Sequence, residues 1–199
     1  MLKLNDPVRY TDAEKAHIEA NLKPKGKNGW SDSAPETIAI KHHISKHTII
    51  AQGGRCAYCE KVLAKGDVDI EHIAPKKHYG AFTFEPYNLV SSCTCCNAPV
   101  NKGQNKTIVE PANLVAYDAN QFTIVHSYFD NPDDHIKYMD EERTMIDINN
   151  CTVKGKETIN MLHWNEWWAI YKRLEITGMR HFRIDVLKLA AEISTYKAK

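Results

Sequence analysis

The stretch "VDIEHIAPKK", residues 68–77, decides how the chain is read. It places an acid beside a histidine, Glu71 and His72, in a short β-rich run that a proline and two lysines close. Two cysteine pairs flank it: "CAYC" at 56–59 and "CTCC" at 93–96. Thiolates at i and i+3 on a tight turn reach one ion at about 2.3 Å, and two such turns complete a tetrahedral, closed zinc site. The spacing therefore predicts a structural zinc on Cys56, Cys59, Cys93 and Cys96, with Cys95 as a competing ligand inside the second pair. Cys151 reads as a small buried hydrophobe.

Outward from this core, "NLVSS" (88–92) and "FTIV" (122–125) read as further strands. Upstream, Thr11 and Glu14 have capping-box spacing and open a helix through about Leu22. "KPKGKNGWSD" then reads as an exposed loop. Ser33 and Glu36 repeat the capping spacing around Pro35, and the second helix runs to Gly53-Gly54. "DNPDDHIKYMDEER" reads as an irregular acidic segment. Downstream, helices are expected from Gly155 to about His163, from an Asn165 cap to Thr177, and from Met179 to Tyr196 with a stripe of Phe182, Val186, Leu189, Ala190 and Ile193. Trp164, Trp167, Trp168 and Tyr171 read as helix-packing core or as a surface for a partner. The fold class is α+β: a helical arm over 1–54, a zinc-stapled module over 55–108 and a mainly helical region over 109–199.

With 26 basic and 25 acidic residues the net charge is +1, which excludes a histone-like polycation. Any nucleic-acid contact must come from local patches such as 23–27, 76–78, or Lys102 with Lys106. No apolar run approaches the ~20 residues a membrane span needs. The first fifteen residues lack the apolar segment of a secretory signal, so the expected location is the cytoplasm. His43 and His47, at i and i+4, have zinc-ligand spacing but no third partner in the sequence.

The order CxxC, acid–His–x–x–Pro, Asn-Leu, CxxCN, from Cys56 to about Lys102, resembles the HNH endonucleases, whose ββα-metal hairpin a zinc double knuckle frames. The resemblance implies hydrolysis of phosphodiester bonds in nucleic acid, DNA in the first place. It makes His72 the general base, Glu71 and Asn97 the ligands of a catalytic Mg²⁺ or Mn²⁺, and Asn88 the residue that pins the loop and orients the base. Asn97 would open the helix after the second knuckle. Lys76, Lys77 and Lys102 are the phosphate contacts. The chain departs from the pattern in carrying Glu71 for the usual aspartate, and Val100 where many members have lysine, the lysine coming instead at 102.

More broadly, the layout is similar to the HNH subunit that accompanies an SMC/ABC-type ATPase in Septu-like or retron-type anti-phage defence. That implies an ATPase partner docked on the C-terminal helices; a homodimer is also allowed. Two other readings stay open. One is a free-standing restriction- or homing-type HNH enzyme. The other is a non-catalytic zinc module that binds nucleic acid or protein.

Overall fold

The computed structural model describes residues 1–109 and 116–179. It is a mixed helix and sheet structure whose only sheet among the described residues has two antiparallel strands. These are β1 (Asp69–His72) and β2 (Leu89–Ser92), paired Asp69 to Ser92 and His72 to Leu89. A two-stranded ribbon is marginal alone, and helix α2 (Pro35–Ala51) supplies the missing support. At its C-terminal end Thr48 Oγ1 lies 2.7 Å from Ser91 Oγ. Gln52 completes the seam. Its Oε1 accepts from Ser91 N–H at 2.7 Å and its Nε2 donates to Ser91 O at 2.8 Å, so a side chain does the work of a third strand.

Helix α1 (Asp12–His17) starts with the expected Thr11/Glu14 capping box. It stops short of Leu22, passing into a π turn over Ile18–Leu22 and then 3₁₀ turns over Lys23–Ser31. The "KPKGKNGWSD" stretch is thus wound and packed. Gly29 sits where a Cβ would meet Leu22 O at 2.5 Å. Ser33 does not cap α2. The N-cap is Ala34, without a side-chain cap, and Asp32 braces this end by accepting from Ala34 N–H at 2.9 Å and from the Thr37 hydroxyl at 3.0 Å. The glycine stop holds: Gly53 and Gly54 have φ of 61° and 71°, and Gly54 N–H closes back on Ile49 O at 2.9 Å, the 6→1 bond of a Schellman ending.

After β2 comes a single helical turn, α3 (Thr94–Asn97). Asn97 therefore ends this helix and does not open one. "FTIV" forms no strand: Phe122 makes one isolated bridge to Ile108, and Ile124 and Val125 are simply core. The acidic segment holds one short helix, α4 (Pro132–His135). Helix α5 (Val153–Met161) is capped by Thr152, and α6 spans Trp167–Met179, starting two residues beyond the expected Asn165 cap and running through Gly178. The helix expected from Met179 to Tyr196 lies, beyond Met179 itself, outside the described residues. Trp164 is core and Trp168 packs partly against it. Trp167 and Tyr171 are 80% and 60% exposed, so the core reading holds for Trp164 and Trp168 only.

The apolar clusters cross the three sequence segments. Leu89 and Phe84 pack with Val8, Leu22, Ile40 and Ile44 of the N-terminal arm. Cys56, Leu63 and Cys93 pack with Ile159, Leu162 and Trp164. The cysteine module is thus buried between helices on both sides. No described helix is long and apolar enough to cross a membrane.

One core histidine links this packing to pH. His126 is fully buried, with its ring stacked on Phe129 at 4.3 Å between centroids. Burial pushes its pKa down to about 3; Asp130 opposes that, and Lys154 and Lys3 add to it. An unfolded chain takes up this proton below about 6.5, while the folded chain does so only near 3. Stability is complete above 6.5 and is expected to fall as pH drops toward 3, by about 1.4 kcal/mol per pH unit. Urea unfolding across this range should show the slope reduced in His126→Gln; equal slopes in both proteins would refute the assignment.

Candidate metal and nucleic-acid site

The four predicted sulfurs converge. Cys56, Cys59, Cys93 and Cys96 each offer an Sγ, and all four lie within 4.8 Å of one another. Cys59 Sγ and Cys93 Sγ are 3.7 Å apart, close to the ~3.8 Å edge of a tetrahedron with 2.3 Å metal–sulfur bonds. The donor set and its spacing suit a structural metal such as zinc. Cys95 is outside the quartet. Four thiolates on a dication would leave excess negative charge, and Lys172 on α6 answers it, its Nζ 3.7 Å from Cys93 Sγ. Burial works against the Lys172 charge, yet the cysteine sulfurs outweigh it and hold the ammonium above its usual range.

Around the quartet, Asp67 and Asp69 tie the entry of β1 to α3. Asp67 Oδ1 accepts from Thr94 N–H at 3.1 Å and from its hydroxyl at 2.7 Å. Asp69 Oδ2 accepts from Asn97 Nδ2 at 3.1 Å. That bond fixes the amide orientation and leaves the Asn97 carbonyl oxygen and one N–H for other partners.

Strand alternation sends Glu71 and His72 to opposite faces of β1. Both stand at the strand's end, and both line one open cleft of about 830 Å³ together with Asn97, Lys76 and Lys77. His72 is 3% exposed. Its Nε2 lies 3.1 Å from Thr83 O, and a carbonyl only accepts, so Nε2 carries the proton and Nδ1 keeps a free lone pair. Burial, then Lys76 and Lys102, depress its pKa well below the usual range. The imidazole is neutral, as a proton acceptor must be.

Asn88 is fully buried and pins the loop behind this histidine. Its Oδ1 accepts from Ala74 N–H at 2.6 Å, and its Nδ2 donates to Ala74 O at 3.1 Å and Phe82 O at 2.9 Å.

Lys102 is not where a phosphate contact must be. It is 1% exposed, and its ammonium touches the Glu71 carboxylate and the His72 carbonyl. Tyr58 also donates to Glu71 Oε1, at 3.3 Å. Burial raises the Glu71 pKa and lowers that of Lys102, each effect opposed by the partner. Lys102 is an internal counter-ion, and the "NKG" context that reads as surface is a tight turn: Gly103 has φ 41° and a Cβ there would meet Pro99 Cα at 2.8 Å. Lys77 is exposed and Lys76 half-buried on the cleft.

The sequence reading missed Trp30. Its ring meets His72 edge to face at 4.5 Å between centroids, packs on Phe84 at 5.5 Å, and lies under the Lys76 ammonium at 5.9 Å. Lys27, Asn28 and Ser31 of the same wound segment line the cleft. The only signal in the sequence was a tryptophan within a basic, glycine-containing stretch. Each histidine of the 43/47 pair has its own partner. His43 Nδ1 pairs with Glu14 at 2.8 Å, and His47 Nε2 with Asp6 O at 3.1 Å, holding α2 to the N-terminal arm.

No protein-family model matches the chain, and no curated protein matches it.

Proposed function

We propose that the protein is a metal-dependent HNH-type endonuclease that cleaves phosphodiester bonds, with DNA as its substrate and a structural zinc on the four cysteines. The observation that carries this reading is His72: a neutral imidazole with a free Nδ1, in the same cleft as an acid, an amide and two lysines. Its Nδ1 takes the proton from the attacking water, and Thr83 O fixes the ring while it does so. The lysines along the cleft, Lys27, Lys76 and Lys77, favour a polyanion. Lys102 and Tyr58 hold Glu71 Oε1, so the donors that would face an ion on that cleft are Glu71 Oε2 and the Asn97 carbonyl oxygen, hard oxygens of the kind that suit Mg²⁺ or Mn²⁺, which retain several waters. The chemistry an ion would supply there is neutralisation of charge on the transferring phosphate and on the leaving oxygen.

A protein partner of the ATPase class is part of this proposal. Trp167, Tyr171 and Leu174, at i, i+4 and i+7 of α6, are 80%, 60% and 54% exposed, an apolar stripe such a partner would cover. The test is nicking of supercoiled plasmid by the purified protein in Mg²⁺ or Mn²⁺, alone and with a candidate ATPase, beside an RNA substrate. Cleavage of plasmid supports the reading, and RNA cleavage alone would correct the substrate. Zinc-loaded protein that binds nucleic acid but cuts neither, under any of these conditions, would replace it with a non-catalytic binding module.

A further inference from the structure

Asn88 has one contact that its loop-pinning role does not need. Its Oδ1 accepts a second hydrogen bond, from the Tyr117 hydroxyl at 2.9 Å. Tyr117 in turn lies 2.9 Å from His126 Nε2. The direction of this chain can be read from its far end. His126 Nδ1 faces two backbone donors, Tyr128 N–H at 3.2 Å and Phe129 N–H at 3.4 Å. Nδ1 must therefore accept, so Nε2 holds the proton and donates to the Tyr117 oxygen. Tyr117 has one hydroxyl proton and two acceptors in reach, Asn88 Oδ1 at 2.9 Å and Tyr87 O at 3.4 Å. The shorter contact wins. Every bond from the Phe129 backbone to Asn88 thus points the same way, an arrangement in which each bond polarises the next.

With this bond the Asn88 carboxamide makes all four of its possible hydrogen bonds. It cannot flip without setting two donors against each other at Ala74 N–H and Tyr117. The residues it holds are those that place the base. Ala74 is two positions past His72, and Phe82 precedes Thr83, whose carbonyl orients the His72 ring. Neutral, aromatic-boxed His126, which no catalytic role employs, acquires a purpose here: it is the fixed end of the chain.

We infer that Tyr117 and His126 are positioning residues, which lock Asn88 in one amide orientation and through it set the tautomer and angle of His72. The inference deepens the nuclease reading and rests on it for its catalytic consequence, but its structural half stands on its own. Tyr117→Phe removes one hydroxyl and keeps the ring packing against Phe82 and Phe122. His126→Gln keeps an amide nitrogen to donate to Tyr117, whereas His126→Leu does not.

The experiment is imidazole ¹⁵N NMR of His72 in wild type, Tyr117→Phe, His126→Gln and His126→Leu, with plasmid nicking measured on the same samples. In wild type His72 should show the Nε2–H tautomer. In Tyr117→Phe and His126→Leu the two ¹⁵N shifts should move toward each other, and kcat should fall about tenfold with KM changed less than twofold. His126→Gln should stay near wild type in both readouts. If the His72 shifts are the same in wild type and Tyr117→Phe, the inference fails whether or not the protein cuts plasmid. If wild type cuts neither plasmid nor RNA, alone or with the candidate ATPase, but the shifts move as stated, the positioning chain stands and the nuclease reading falls.

Discussion

Replacing His72 with alanine is expected to lower plasmid cleavage by about 10²–10⁴-fold, the range a positioned general base contributes. The size follows from what the side chain supplies and what remains without it. Nδ1 is the free proton acceptor that the cleft fixes in place, since Nε2 is bonded to Thr83 O and the ring is wedged against Trp30. The neighbouring Glu71 cannot take over, because Lys102 and Tyr58 already hold its Oε1 and its carboxylate is buried. The fold should survive the change. The lost Thr83 bond is worth about 0.5–1.5 kcal/mol, and the ring lies at the cleft wall, where water can fill the space. Zinc content and the thermal midpoint should stay near wild type. A variant that cuts as fast as wild type would remove His72 from the mechanism. A variant that loses zinc as well would show that the loss of activity came from the scaffold.

Much of this site could be read from local spacing. The cysteine pairs, the β1 and β2 runs and the placement of Asn88 depend on residues close in sequence or on geometry that one ion dictates. The histidine pair at 43 and 47 shows the limit of such reasoning. The i, i+4 spacing is equally good for a metal and for two separate contacts, and only the approach of Glu14 and Asp6 decides between them. Lys102 illustrates a second limit. A lysine flanked by Asn and Gly reads as surface, and nothing local shows that the turn at Gly103 folds it inward against Glu71. Trp30, Asp69, Tyr117 and His126 matter only through partners distant in the chain. "FTIV" failed for a related reason: its apolar residues are buried against neighbouring core with no free strand edge in register beyond the Ile108 bridge.

The largest effect is expected from the cysteine site. A structural zinc of this kind contributes about 10–16 kcal/mol at neutral pH, as much as or more than the ~5–15 kcal/mol that separates a folded domain from its unfolded chain. The position of this site in the core makes that comparison decisive. Cys56 and Cys93 are fully buried in the same apolar cluster as Leu63, Ile159 and Trp164, so losing the ion would uncouple the helices on both sides of the module, not a peripheral loop. It would also free the two elements that carry the proposed catalytic residues: β1 with His72 and α3 with Asn97. A zinc chelator under reducing conditions, or Cys56→Ser, is therefore expected to abolish the cooperative thermal transition and the cleavage together, with zinc restoring both to the chelated wild type. Removing Mg²⁺ or Mn²⁺ should abolish cleavage and leave the transition in place, because Lys102 already neutralises Glu71 in the folded protein. Cys95→Ser should keep zinc and melt normally, as its sulfur stands outside the quartet. Mass spectrometry of the native protein, read beside the melting curves, checks all of this at once. Metal-free protein that melts cooperatively at the wild-type temperature would show that the four sulfurs pack without an ion and that the fold owes the site nothing.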